Sequence, residues 1–150
     1  MEMIDVMTMT LMVAFGAVSV AHSEVPMEKV AAGERSGIAA ARQVVVRSEA
    51  EWQQLWSELG SRQAIPKVDF DSRMVVGVFL GTRPTSGFSV QIVEVRDEPG
   101  VLWVKYSERG PSPSAMVLQA LTSPFYLISV PARRGDVRFE QMAASPRAIR

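Results

Sequence analysis

The residue types that can do chemistry in this chain are few. It has one histidine, His22, and no cysteine. Without cysteine there is no thiolate nucleophile, thiolate metal site, disulfide or lipid-acceptor thiol. His22 lies in a segment with the pattern of an export signal, and its removal would leave no imidazole. Ser-His-Asp and Cys-His machinery are then excluded, as are the usual zinc and copper sites. No glycine-rich phosphate loop of the G-x-x-x-x-G-K-[ST] or G-x-G-x-x-G form occurs. Carboxylates, hydroxyls and guanidinium groups remain. Asp69 and Asp71 are two apart and share a face on an extended segment. A Ca²⁺ site needs about six oxygen ligands, which no loop motif here supplies. Two solvated charges flanking Phe70 is the simpler reading. Lys29, Lys67 and Lys105 could assist a serine, but no S-x-x-K pattern accompanies them. The sequence thus offers no catalytic residue, no metal ligand set and no cofactor site, and the expectation is a non-enzyme.

Arg83 is the binding group with the most distinctive setting, in Gly81-Thr82-Arg83-Pro84-Thr85-Ser86-Gly87. Glycines bracket this loop and Pro84 fixes one φ angle, so it should be more ordered than a linker of equal length. Arg83 could grip a carboxylate or main-chain carbonyl of a partner, with Thr85 and Ser86 adding hydrogen bonds. It could equally bond loop carbonyls and hold the turn. The candidate partner-binding residues are Arg83, Pro84, Thr85, Ser86 and Phe88. Pro111–Ser114 and Thr122–Ser123 are segments that a shared sheet edge could bring beside them.

The elements that must hold this loop are strands. Met74–Leu80 is an almost unbroken apolar run, which suits a strand buried on both faces. Gly87–Val95 alternates, with Phe88, Val90 and Ile92 on one face. Asp97-Glu98-Pro99-Gly100 is a turn signal, and Val101–Ser107 alternates again, so an antiparallel hairpin is predicted. Gln43–Arg47, Met116–Leu121, Phe125–Val130 and Val137–Glu140 are further predicted strands. Ser48 and Glu51 have capping-box spacing, and Trp52, Leu55, Trp56 and Leu59 recur at i, i+3, i+4 and i+7. A helix over Glu49–Leu59 follows, closed by Gly60. Core packing accounts for Trp52 and Trp56 better than an aromatic ligand platform does, because burying a Trp is strongly favourable. Pro66 predicts an extended crossing segment, with Phe70 as an anchor before the central strand.

The expected fold class is α+β: a twisted, mainly antiparallel sheet of about six strands with one amphipathic helix packed on it. A small β-barrel with a capping helix is the alternative. Val6–Ala21 is largely apolar and Ala21-His22-Ser23 supplies small residues around a cleavage point, so residues 1–23 read as a secretory signal peptide. Glu2 and Asp5, without Lys or Arg, depart from that pattern. The apolar run is shorter than the ~20 residues a bilayer span requires. Residues 24–41, rich in Ala, Gly and charge, read as a flexible leader, with an extra edge strand or helix as the other option. Residues 42–142 form the expected single domain and 143–150 a tail. Lys plus Arg and Asp plus Glu number 16 each, so no global field favours nucleic acid or an anionic membrane. Arg133, Arg134, Arg138, Arg147 and Arg150 lack interleaved aromatics other than Phe139 and read as a solvated basic end.

The order of several segments resembles the PrcB C-terminal domain family, described as a protease complex subunit. They are Glu51-Trp52-Gln53-Gln54-Leu55-Trp56, Asp69-Phe70, the stretch from Val78 through Gly81-Thr82-Arg83-Pro84-Thr85-Ser86-Gly87 to Phe88, and Thr122-Ser123-Pro124-Phe125. The resemblance spans roughly Val44 to Glu140. It implies an exported accessory or binding role with a protein partner, such as a protease, and offers no catalytic residues to transfer. The namesake's lipid anchor is not implied, because this chain has no acceptor Cys.

Together these readings predict a non-enzymatic protein-binding module, periplasmic or secreted, an accessory of a protease or envelope complex. Tethering through an uncleaved N-terminal segment is the alternative localisation. A partner strand could also add to an exposed sheet edge. The competing functional reading is a small-ligand or glycan binder, or a carboxylate-dependent hydrolase. It would use a pocket between helix and sheet lined by Trp52, Trp56 or Trp103.

Overall fold

Ser48 starts the only helix among the described residues, α1 (Glu49–Leu59). These coordinates come from a computed structural model, which describes residues 23–142. The segment 1–23 that reads as a signal peptide, apart from Ser23, and the expected tail 143–150 lie outside the described residues. Ser48 is extended and its hydroxyl accepts from the Glu51 amide at 3.2 Å. Gly60 closes the other end by donating to the Trp56 and Ser57 carbonyls. Trp52, Leu55 and Leu59 form the buried stripe. Because the cap satisfies an amide with no intrahelical partner, Ser48→Ala is expected to lower stability by about 1 kcal/mol. Chemical denaturation would measure this.

Among the described residues eight strands accompany the helix: β1 (Ser23–Glu24), β2 (Glu28–Gly33), β3 (Arg42–Val46), β4 (Arg73–Phe79), β5 (Ser89–Glu98), β6 (Val101–Arg109), β7 (Phe125–Pro131) and β8 (Asp136–Gln141). They form two four-stranded sheets, ordered β2-β7-β4-β3 and β1-β5-β6-β8. All pairings are antiparallel except β6 with β8. The expected single sheet of about six strands is therefore corrected to eight strands in two sheets, and neither closes into a barrel.

The central strands explain the second sheet. β4 and β7 are apolar on both faces, so each face needs a cover. Met74, Val76, Val78, Ile128 and Val130 meet Val90, Ile92, Val95, Leu102 and Val104 of the other sheet. The opposite face, with Val75, Phe79, Phe125 and Leu127, takes the helix residues Trp52, Leu55 and Leu59. One helix could not cover both faces. The result is three layers: helix, sheet, sheet. The predicted hairpin is present as β5–β6, with a bulge between Ile92 and Glu94 that turns Val95 inward and leaves Val93 outward.

The segment 24–41, read from its composition as a leader, supplies most of two edge strands. β2 pairs with β7, and a bulge between Lys29 and Ala31 breaks the alternation that would have revealed it. Beyond β2, Ile38 is buried, the Gly37 amide donates to Leu59 O at 2.8 Å, and Ser123 accepts from Ser36 N–H and donates to Glu34 O. Such docking through main-chain groups carries no periodic apolar signal. Among the described residues no helix is long and apolar enough to cross a membrane.

Candidate functional site

The 81–88 loop follows β4 and leads into β5, so the central sheet sets its base. Gly81 has φ 80° and Gly87 φ 93°, conformations that favour glycine. Leu80 N–H donates to Pro124 O, and Thr82 N–H to Ala39 O, both at 3.0 Å. Arg83 and Thr122 form an isolated antiparallel bridge, with N–H···O distances of 2.7 and 3.0 Å. Next in line, Ser86 N–H donates to Leu118 O at 3.1 Å, and Ser86 Oγ accepts from Leu118 N–H at 2.8 Å. Buried Thr122 donates its hydroxyl to Thr85 O at 2.9 Å. Pro111 packs over Gly87, where an added Cβ would lie 2.9 Å from the Pro111 ring. The loop is thus stitched along its length to the Pro111–Pro124 segment, and at Thr82 to Ala39.

The five candidate side chains divide by role. Arg83 Nε donates to Glu108 Oε1 at 2.7 Å, and its Nη1 to Leu80 O at 3.0 Å and Thr82 O at 3.3 Å. The hydrogen bond to Glu108 raises the Arg83 pKa above its ordinary value, burial opposes this, and the Glu108 charge adds to the rise. Stability from a raised guanidinium pKa is present at every pH below its unfolded value. It is lost only as pH climbs through the folded one, so the Arg83 charge persists across the physiological range. Thr85 bonds Ser86 O, and Ser86 is committed to Leu118. Phe88 is partly buried with its ring over Gly110, and Pro84 is exposed. The sequence reading missed Glu108, which comes from β6 across the sandwich.

It also missed the most exposed feature. Met116–Leu121 was a predicted strand, but these residues form an irregular loop. In it Met116, Leu118 and Leu121 are 101, 65 and 73% exposed. The run M-V-L-Q-A-L does not alternate, and Pro-Ser clusters flank it on both sides. Those were the available signals that it is not a strand. Three large apolar side chains in water, on a backbone held by the Arg83 turn, have the character of a contact surface.

The other candidates are structural. Trp52 is fully buried, donating to Pro66 O at 2.9 Å, and Trp56 donates to Gln63 O at 3.2 Å. Trp103 lies on β6 in the other sheet, bonded to Glu98 under Arg138, so the three tryptophans do not converge. Asp69 caps the turn into β4, accepting from Asp71 N–H and the Ser72 hydroxyl at 3.1 Å each. In the Arg-rich end, Arg133 pairs with Asp97. Among the described residues no group of three or more His, Asp or Glu side chains could hold a metal ion.

Residues 74–131 match the family model described as PrcB C-terminal, which covers β4, the Arg83 turn, the hairpin, the 110–121 loop and β7. The match agrees with the resemblance read from the sequence. No curated protein and no solved structure matches the chain.

Proposed function

We propose that this chain, whose residues 74–131 match the PrcB C-terminal family, is an exported, non-enzymatic module that binds a protein partner. The partner is a component of a protease or envelope complex. The observation that carries this reading is the exposed Met116, Leu118 and Leu121 on a loop fastened to the 81–88 turn. The turn fixes the backbone, so little chain entropy is lost on docking. Exposed Pro84 and partly buried Phe88, on the turn that holds this loop, are the further candidates for contact. Arg83, Thr85 and Ser86 act by holding this platform in place. The family resemblance supports an accessory role. The pattern of residues 1–23 supports export, after which the mature chain has no histidine.

Affinity capture from the native exported fraction tests this, with Met116→Ser/Leu118→Ser/Leu121→Ser beside the wild type. The triple variant is expected to lose the partner while unfolding at the same or a higher temperature, because none of the three side chains is in the core. Arg83→Ala is expected to weaken capture with a measurable loss of stability. An unchanged set of captured proteins in the triple variant would remove this loop from the interface. N-terminal sequencing of the natural protein tests export, and retention of His22 in the mature chain would refute it.

A further inference from the structure

A second surface lies away from the loop, along β3. Among the described residues β3 ends its sheet and pairs only with β4. Among the described residues, no hydrogen bond beyond that ladder reaches the backbone of Arg42–Val46. Alternate residues of an edge strand point N–H and C=O groups away from the sheet, so β3 offers an unfilled ladder. The other edges are blunted. β1 has two residues, β2 carries the bulge, and β8 alternates charges at Asp136, Arg138 and Glu140. By contrast, β3 pairs in continuous register and reads Gln43-Val44-Val45-Val46 between two arginines.

The helix supplies a wall to this edge. Glu51, Gln54, Leu55 and Glu58 recur at i, i+3, i+4 and i+7, so they share one face of α1. Together with β3 they line a groove of about 320 Å³. A five-residue strand is about 17 Å long and the eleven-residue helix about 16 Å, so the two sides match in length. From this geometry we infer that the β3–α1 groove takes an extended peptide of a partner protein, added as a fifth strand antiparallel or parallel to β3. The segment carries a Lys or Arg that faces Glu51.

Charge decides between this occupant and a second copy of the chain. α1 carries Glu49, Glu51 and Glu58 and no basic residue. Glu58 is bonded to Arg42 at 2.8 Å, while Glu51 has no ion pair among the described residues. Two copies joined edge to edge through β3 by a twofold axis would set the Glu51–Glu58 face of one helix toward that of the other. Glu58 is already paired with its own Arg42, so it is the unpaired Glu51 of each copy that opposes self-pairing, whereas a basic strand meets that carboxylate.

The test uses the full mature chain against a displayed library of random ten-residue peptides. Selection is expected to enrich alternating sequences with Lys or Arg, and these should perturb the backbone amide resonances of residues 42–46. N-methylation of the selected peptide at successive positions should abolish binding at every second residue and leave the others unchanged, the period of a strand ladder. Glu51→Lys should weaken the peptide about fivefold, and replacing its facing base by Glu should restore binding. Four results would overturn the inference: no enrichment, shifts confined to 81–88 and 116–121, N-methyl effects without a two-residue period, or a dimer in sedimentation that protects the β3 amides. The first three leave the proposed loop interface untouched, since Met116, Leu118 and Leu121 lie outside this groove.

Discussion

Trp52→Ala is expected to destabilise the protein by about 3–5 kcal/mol, a large share of the roughly 5–15 kcal/mol that holds an ordinary domain together. The side chain is completely buried between α1 and the β2-β7-β4-β3 sheet. Truncation removes its transfer energy and leaves a cavity the size of an indole. It also strands Pro66 O, which now accepts the Trp52 indole N–H at 2.9 Å. Pro66 lies in the crossing segment between helix and β4, so loosening it disturbs the entry to the central strand. Trp56 is the internal control. Its ring lies 5.6 Å from that of Trp52 and is tilted by 51°, but it is only partly buried. Trp56→Ala is expected to cost about 1–2 kcal/mol, in proportion to the smaller area returned to water. Urea unfolding followed by far-ultraviolet circular dichroism separates the two. Equal losses would mean that the helix does not dock on the face described.

Much of this arrangement could be read from residue spacing alone. The i, i+3, i+4, i+7 stripe gave α1 its bounds, because a capping serine and a closing glycine both lie where an amphipathic stripe begins and ends. The unbroken apolar run 74–80 pointed to a strand covered on both faces. Followed to its consequence, that observation already demands two covering layers, which one eleven-residue helix cannot provide. The second sheet was legible in the alternation of 87–95 and 101–107 but not its placement, since alternation says which residues face inward and not what they face. β2 escaped because its bulge and its Ala and Gly residues erase the period. The site divides the same way. Glycines and Pro84 marked an ordered turn. Thr122–Ser123 and Pro111–Ser114 were readable as possible neighbours of the loop, and Thr122 does bridge Arg83 while Pro111 packs on Gly87. Glu108, on β6, holds Arg83 from a sequence distance that leaves no local trace. Met116–Leu121 was mistaken for a strand because apolar content was weighed without period, and the absence of alternation was the better guide.

The turn itself gives the second large effect. Gly81→Ala is expected to cost about 2–4 kcal/mol, from two sources. The residue holds φ at 80°, where a Cβ meets the following carbonyl. In addition, the new Cβ would lie 2.8 Å from Ala41 N and 3.1 Å from Ala39 O, both backbone atoms that cannot turn aside. Gly100, in the β5–β6 turn, has nearly the same φ of 77° but nothing within 4 Å of the added carbon. Gly100→Ala therefore reports the backbone strain alone, about 1 kcal/mol, and the difference between the variants measures the collision. Relief of that collision must push residues 39–41 away from the turn, which strains the Thr82 N–H bond to Ala39 O at 3.0 Å. The next contacts along the chain are the Arg83–Thr122 bridge and the Ser86–Leu118 bonds, so the amide resonances of Thr122 and Leu118 should move in Gly81→Ala and stay in place in Gly100→Ala. If the two variants lose the same stability, the 39–41 segment yields freely. The platform beneath Met116, Leu118 and Leu121 would then be less firmly held than its hydrogen bonds indicate.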